Sequence, residues 1–395
     1  MKKRLLFVME SLGIGGAEKS LVTILAQLDY SKYEVDLFLF QQMGEFSKLV
    51  PKEVNIIQVP IRFKMFMENP VDSLNILIKH KDIRLIILKF IELINLSFYR
   101  FILKKEYIGW RFIRKAIESL PKEYDIAIGF MEKKSIYFVV DKVKAKKKIG
   151  WIHTDYEKVE HSHKLDNMYF ENLDNIVVVS EHGKEVLCKA FPKIKLKLSV
   201  IKNMVSPRLI KEMSNESIEN LDINSGTNVI CTVGRLIEAK GIDIAIECGA
   251  KLNQDNINFK WIVIGEGSER NRLQNMINER HLEDKFILLG SRANPYPYIN
   301  MADVYVQPSR YEGFGITVTE AKILNKPIIV SNIPEFLEQI EDNKTGMIYK
   351  NINELENKIE DLLSNEDIRQ ELSHNLKSTV SIKNGEFDKI ERLFS

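Results

Sequence analysis

Two carboxylates, Glu312 and Glu320, bracket a glycine turn in the stretch Pro308–Glu320, PSRYEGFGITVTE. An apolar, strand-like run at Val304–Val306 leads into it, and a helix-like run beginning near Thr317 leads out. Strand, glycine turn and helix start leave backbone N–H groups unpaired and set the positive end of a helix dipole beside a carboxylate. Amides suit phosphates and carboxylates suit hydroxyls, so the stretch fits a ligand that carries both. A buried α/β turn in which Glu320 only caps a helix would use the same residues.

A second glycine loop, SLGIGGAEKS, follows the apolar run Leu5–Met9 and precedes a helical stripe at Ala17, Leu21, Ile24, Leu25 and Leu28. Gly13 and Gly15 fit the start of the dinucleotide fingerprint, but Glu18 stands where its third glycine belongs. What survives is a turn whose backbone at Gly15 and Gly16 allows close approach of a ligand. His153, in WIHTD, ends another strand-like run and is placed to reach a cleft. His161 and His163 form an H-x-H pair without further ligands nearby and read as loop residues, so no metal site is expected.

The elements that position these residues alternate strand and helix in both halves. Val35–Phe40, Ala127–Phe130, a strand running into Trp151 and Ile176–Ser180 read as strands in the first. Val229–Val233, Trp261–Ile264, Phe286–Leu289, Val304–Val306 and Pro327–Val330 read as strands in the second. Such alternation specifies parallel, doubly wound sheets. Pro207 among Ser, Asn and mixed charges marks residues 201–224 as a link. The expected domains are therefore 1–205 and 206–382.

At 395 residues the chain is too long for one ordinary core, and 45% apolar with 28% charged residues is a globular composition. The opening MKKRLLFVMES stops being apolar at Glu10 and reads as a first strand rather than a leader. No apolar run reaches the ~18 residues of a membrane span. Three cysteines without C-x-x-C spacing suggest a reduced, cytoplasmic setting. The net charge of +2 hides an asymmetry. Residues 1–200 carry 34 Lys/Arg against 25 Asp/Glu, while the remainder carries 23 against 30. A basic half points to an anionic partner. Its basic residues concentrate at 79–115, ten against three acidic, among aliphatic and aromatic residues. That pattern suits a helix lying on an anionic membrane surface, and equally an ordinary amphipathic helix packed on a sheet.

EGFG followed by four residues and a second Glu, after PSRY, resembles the signature of the family-4 retaining glycosyltransferases, nucleotide-sugar enzymes of bacterial polysaccharide and glycolipid synthesis with GT-B architecture. GGAE near Gly15, GRLIEAKG at Gly234 and GEGSER at Gly265 match in the family's order, strongly over Val229–Tyr349 and loosely before Val200. The resemblance implies an α/β fold of two Rossmann-like domains facing a central cleft, nucleotide sugar on the second and acceptor on the first. It implies too that residues 383–395 return to the first domain. It assigns Arg235 and Lys240 to the leaving diphosphate, Glu320 to the ribose, and Glu312 to the hydroxyls of the donor sugar. The backbone of Gly313, Phe314 and Gly315 assists there, with amides of Ile316 and Thr317 nearby. Arg270 and Ser291 become candidates for the nucleotide side, and His153 for facing the donor sugar.

The expected activity is metal-independent transfer, most simply from a UDP-sugar, to a lipid-linked or polysaccharide-precursor acceptor at the inner membrane face. No cofactor and no nucleic-acid partner are implied, and the chain contains no D-x-D motif to hold a metal on the diphosphate. Two rivals share these features. One is a nucleotide-sugar epimerase of the same architecture, which EGFGxxxxE disfavours. The other is a non-catalytic nucleotide- or polyanion-binding protein that uses the basic first half.

Overall fold

The computed structural model describes residues 2–41, 44–59, 70–79, 81, 83–103, 110–159, 161–218, 221, 223–224, 226–379 and 385–395. The chain divides into two compact units, residues 1–202 with 389–395, and residues 203–388.

The first unit is built on a seven-stranded sheet of order β3-β2-β1-β4-β5-β6-β7, and every recorded pairing in it is parallel. Its strands are β1 (Lys3–Met9), β2 (Tyr33–Leu39), β3 (Asn55–Ile57), β4 (Glu123–Gly129), β5 (Lys144–Ile152), β6 (Asn175–Val178) and β7 (Leu198–Val200). Leu5–Met9 is fully buried, as a central strand covered by helices on both faces requires. The helices are α1 (Gly16–Gln27), α2 (Pro70–Lys79), α3 (Ile83–Leu103), α4 (Trp110–Ala116), α5 (Lys134–Lys142), α6 (His163–Glu171) and α7 (Glu181–Ala190). Strand order reverses between β1 and β4, which is where open parallel sheets form a crevice beyond their carboxyl ends.

The pair α2–α3 has two distinct sides. Leu77 and Leu85 join the core with Trp110 and Ile113 of α4. Val71, Ile78, Ile83, Ile87, Phe90, Ile91 and Ile94 remain exposed. Lys79, Lys81, Arg84, Arg111, Arg114 and Lys115 are exposed around them. No helix among the described residues is long and apolar enough to cross a membrane. Lys104 and Lys105, part of the basic run, lie outside the described residues.

The second unit carries a six-stranded parallel sheet of order β10-β9-β8-β11-β12-β13. Its strands are β8 (Asn228–Val233), β9 (Phe259–Ile264), β10 (Phe286–Gly290), β11 (Val304–Gln307), β12 (Ile328–Ser331) and β13 (Met347–Tyr349). This is the 3-2-1-4-5-6 order of a dinucleotide-type fold. The intervening helices are α8 (Pro207–Met213), α9 (Ile242–Gln254), α10 (Arg270–Glu279), α11 (Tyr296–Met301), α12 (Ile316–Ile323), α13 (Pro334–Leu337), α14 (Ile352–Ser364) and α15 (Glu366–Thr379). The stretch 201–224, expected to be a link, contains α8. Ser206 caps it by accepting from the Leu209 amide, Pro207 sits in the first turn, and Ile210 is buried in the core. Ser-Pro here starts a helix rather than marking a linker.

The last helix, α16 (Gly385–Phe394), brings the chain end back to the first unit. Residues 383 and 384 of the expected returning segment lie outside the described residues. Lys3 Nζ donates to the carbonyls of Phe394 (3.0 Å) and Ser395 (2.7 Å), and Lys147 Nζ donates to that of Leu393 (2.7 Å). Two ammonium groups thus satisfy carbonyls that a helix end leaves open. Phe394 is buried with its ring edge-on to Phe7 (6.1 Å) and Tyr33 (6.2 Å). Removing a buried Phe side chain costs roughly 3–5 kcal/mol. Phe394→Ala is therefore expected to destabilise the first unit by about that amount, read as an earlier urea transition whose first proteolytic cuts fall within residues 1–202.

Candidate active site

In the second unit the motif residues gather at the carboxyl ends of β8, β9 and β11. After β8 the chain makes a short 3-10 turn, Glu238–Lys240, and then Gly241 adopts φ +63° before α9. A Cβ on Gly241 would lie 2.1 Å from the Pro308 carbonyl oxygen, so only glycine lets this loop touch the one after β11. Two further ties hold the loops together. The Arg310 amide donates to the Ala239 carbonyl at 2.8 Å, and its guanidinium forks onto both oxygens of Asp243 at 2.8 Å. Burial pushes the Asp243 carboxyl up, but Arg310's hydrogen bonds and charge, with Arg272, outweigh it and hold the group below the ordinary carboxylate range.

These contacts bring Lys240 and Glu312 together. Lys240 Nζ sits 2.6 Å from Glu312 Oε2, with side chains 19% and 7% exposed. The other carboxylate oxygen accepts from Ser309 Oγ at 2.7 Å. Ser309 accepts in turn from Gln307 Nε2 at 3.0 Å, and Gln307 Oε1 accepts from Tyr305 OH (2.7 Å) and Thr317 Oγ1 (3.2 Å). Tyr305, Gln307 and Ser309 are fully buried. Glu312 is therefore oriented by a chain of donors that starts inside β11 and ends at the carboxylate. Gln307 and Ser309 were not singled out in the sequence, although they stand at alternating positions running into the motif.

Gly315 has φ +80°, and a Cβ there would meet Phe336 of α13 at 2.5 Å. This left-handed turn starts α12 with no side-chain cap at Gly315. The Phe314 carbonyl is held by a hydrogen bond from Gln339 Nε2. Gly313 is half-buried, and Phe314, Ile316 and Glu320 are buried. Glu320 Oε1 accepts from Tyr296 OH of α11 at 3.1 Å. Burial and the Glu320 charge together raise the Tyr296 hydroxyl well above its ordinary value, so it remains a donor.

The other candidates are placed differently. Arg235, at the end of β8, is exposed; its carbonyl accepts from the Ile237 amide at 2.9 Å, while its guanidinium makes no hydrogen bond or ion pair with the described residues. Its guanidinium is available to an anion. Arg270 is committed to the protein instead, pairing with Glu266 at 2.6 Å and donating to the Leu288 carbonyl at 3.1 Å. Ser291 is exposed just beyond β10, where its carbonyl accepts from Arg292. An acidic trio, Asp255, Glu356 and Glu360, also lies in this unit, but Lys251 already sits 2.8 Å from Glu356.

In the first unit Gly15 is the N-cap of α1 and Gly16 its first residue, with the Glu18 carboxylate folded back over Gly15. His153 is buried just past β5, its ring 4.9 Å from Phe130 and nearly parallel to Trp151. His161 and His163 point to separate partners. The first bonds the Val159 carbonyl, and the second bonds the Ala190 carbonyl and stacks on Phe191.

Residues 213–379 match the family model described as glycosyl transferases group 1. An uncharacterised glycosyltransferase of Methanocaldococcus jannaschii is 30% identical over 163 residues, which are 41% of this chain and 40% of that one. The poly(ribitol-phosphate) alpha-N-acetylglucosaminyltransferase of Staphylococcus aureus is 28% identical over 155 residues, 38% of this chain and 31% of that one. The chain thus spans less than half the length of these curated relatives. The crystal structure of Anabaena HepE with UDP and glucose superposes with a TM-score of 0.69 over 99% of both chains, at 15% identity. That likeness shows the fold, two Rossmann-like α/β domains of the GT-B kind. The match to the glycosyl transferases group 1 model thus lies within the second unit.

Proposed function

We propose that the chain is a retaining glycosyltransferase that moves a sugar from a nucleotide sugar, expected to be a UDP-sugar, to a lipid-linked or polysaccharide-precursor acceptor without a metal. The observation that carries this reading is the Lys240–Glu312 pair, held in one loop cluster with the free guanidinium of Arg235 and the glycine-started helix α12. Arg235 and Lys240 stabilise the leaving diphosphate, with the amides of Gly315–Thr317 adding donors, in place of a divalent ion. The ammonium has three donors, so it can meet a phosphate oxygen and keep Glu312. Glu312 accepts from the hydroxyls of the donor sugar and Glu320 from the ribose. His153 acts at the reacting sugar from the first unit.

In the transfer itself the bond from the anomeric carbon to the diphosphate breaks through an oxocarbenium-like state. The acceptor oxygen bonds to the same face, and its proton passes to the leaving phosphate oxygen. Both carboxylates are occupied with hydroxyls, so neither serves as a covalent nucleophile. The relatives support this substrate class, since HepE was crystallised with UDP and glucose and the Staphylococcus aureus relative is a poly(ribitol-phosphate) alpha-N-acetylglucosaminyltransferase.

The apolar stripe on α2–α3 with its ring of exposed Lys and Arg favours peripheral attachment to the anionic inner face of the cell membrane. Each Lys or Arg near such a surface adds about 1 kcal/mol, and only part of the ring faces lipid at once. Reversible, salt-sensitive binding follows, which suits an acceptor anchored in lipid.

Four outcomes are expected. A thermal-shift panel of UDP-, GDP- and ADP-sugars identifies the donor, since a ligand at ~100 times its dissociation constant stabilises by about 2.7 kcal/mol. With that donor, Arg235→Ala and Lys240→Ala each lower kcat/KM about 10- to 150-fold, from roughly 1.5–3 kcal/mol per charged hydrogen bond, and both variants stay folded. Wild-type kinetics in both would remove the diphosphate clamp. Turnover survives excess EDTA and NMR of the product shows the donor's anomeric configuration retained. Loss restored by manganese would contradict the metal-free reading, an inverted anomer the retaining one, and an epimerised sugar nucleotide without transfer the whole assignment. Lastly, the protein floats with vesicles rich in anionic lipid at low salt and is released at high salt, where screening falls within ~3 Å at 1 M. Neutralising Arg84, Arg111, Arg114 and Lys115 together weakens flotation without changing donor affinity. A wild type that ignores such vesicles would make a soluble acceptor the better reading.

A further inference from the structure

The crevice of the first sheet lies where β1 and β4 send their connections to opposite faces. One wall is the short turn from β4 into α5, Phe130–Lys133. Within it Glu132 does something the strands have stopped doing. Ladder pairing between β4 and β5 ends at Gly129 and Gly150, whereas β5 runs on against β6 to Ile152. Beyond that point Glu132 supplies the missing tie. Its Oε2 accepts the backbone N–H of His153 at 3.0 Å and its Oε1 accepts the Thr154 hydroxyl at 2.9 Å. Both oxygens of one carboxylate thus close the gap between the two strand ends, through backbone at His153.

The turn that aims Glu132 is unusual. Lys133, the next residue, has φ +62° and ψ −114°, a conformation rarely adopted by a residue with a Cβ. Such a conformation persists only where the surroundings fix it, and it is found more often at functional sites than elsewhere. Here the surroundings are visible on both sides. Lys134 Nζ reaches back 2.9 Å to Glu10 at the end of β1, and Ser135, Ile136 and Tyr137 are buried at the start of α5. The His153 ring is meanwhile held by Phe130 and Trp151. Ring and backbone of the same histidine are thus fixed by the turn after β4 and by β5 itself.

We infer that Glu132 is a positioning residue, which sets the backbone of His153 and through it the imidazole for the reaction. The inference rests on the role proposed above for His153. It makes no claim that Glu132 touches substrate.

The test uses the full chain and a double-mutant cycle of Glu132→Ala with His153→Ala. Release of the nucleoside diphosphate is measured with UDP-glucose, or with the panel member giving the largest thermal shift. Glu132→Ala is expected to lower kcat about tenfold or more while the donor KM stays within about twofold, the signature of an interaction felt in the transition state. Glu132→Gln keeps one carbonyl acceptor and recovers part of the loss. In the His153→Ala background the second substitution costs less than about twofold, because residues acting as a unit are non-additive. Hydrogen exchange at the His153 amide rises more than about tenfold in Glu132→Ala, with the melting temperature of the chain nearly unchanged. A His153→Ala variant that is impaired beside a Glu132→Ala variant at wild-type kcat would overturn the positioning role and leave the proposed function standing. Losses that multiply in the double variant would do the same. Wild-type turnover by His153→Ala would remove both the role of the histidine and this inference. Should Glu132→Ala fail to fold, the cycle is run with Glu132→Gln, judged by the same non-additivity.

Discussion

An ammonium and a carboxylate held 2.6 Å apart, with little solvent around either, place the strongest demand on the second unit. Withdrawing two charges from water costs several kcal/mol per ion unless hydrogen bonds and geometry compensate. The compensation here is local and ordered. Ser309 donates to the carboxylate, Gln307 to Ser309, and Tyr305 and Thr317 to Gln307. Each of these needs its strand or turn in one position, so the register of β11 and the start of α12 are both tied to the pair. The loop that supplies Lys240 reaches it only because Gly241 lets backbone lie against the Pro308 carbonyl. Lys240 and Glu312 are 72 residues apart in sequence, and the sheet order β8-β11 makes them neighbours.

Much of this was legible in the chain, and the reason is that glycines and charges have few alternatives at such positions. Both parallel sheets follow from the alternating apolar runs, and β8, β9, β10, β11 and β12 fall within two residues of the expected strands. Lys240 and Glu312 stand in the recognised motifs, although their direct pairing was not foreseen. The family resemblance makes one a partner for phosphate and the other a partner for hydroxyls, and neither role announces that they hold each other.

What escaped notice has a common cause. Gln307, Ser309 and Tyr296 are neutral polar residues, and their importance lies in the direction of a hydrogen bond, which composition and spacing do not encode. Glu132 sits in an unremarked turn, MEKK, and acquires its partners only when β4 and β5 lie side by side. The stretch 201–224, read as a link, does hold the boundary between the units, at 202/203, but Ser206-Pro207 within it begins a helix. The same dipeptide stops one element and starts another, and burial of Ile210 decides which. Arg270 illustrates the converse case. Its position at a strand end suggested a nucleotide contact, while Glu266, four residues earlier, takes up its guanidinium.

The two lysines that grip the chain end bear on the order of events during synthesis. The first unit is discontinuous: 1–202 leave the ribosome first, but 389–395, with Phe394 against Phe7 and Tyr33, arrive only after the whole of 203–388. At roughly 5–20 residues per second, translation of that insert takes on the order of 10–40 s. During that interval the flank of β1 that receives Phe394 is uncovered, and a hydrophobic surface is open to water or to a chaperone. The second unit, continuous in sequence, has no such wait. The half of the molecule that is made first is therefore the half completed last.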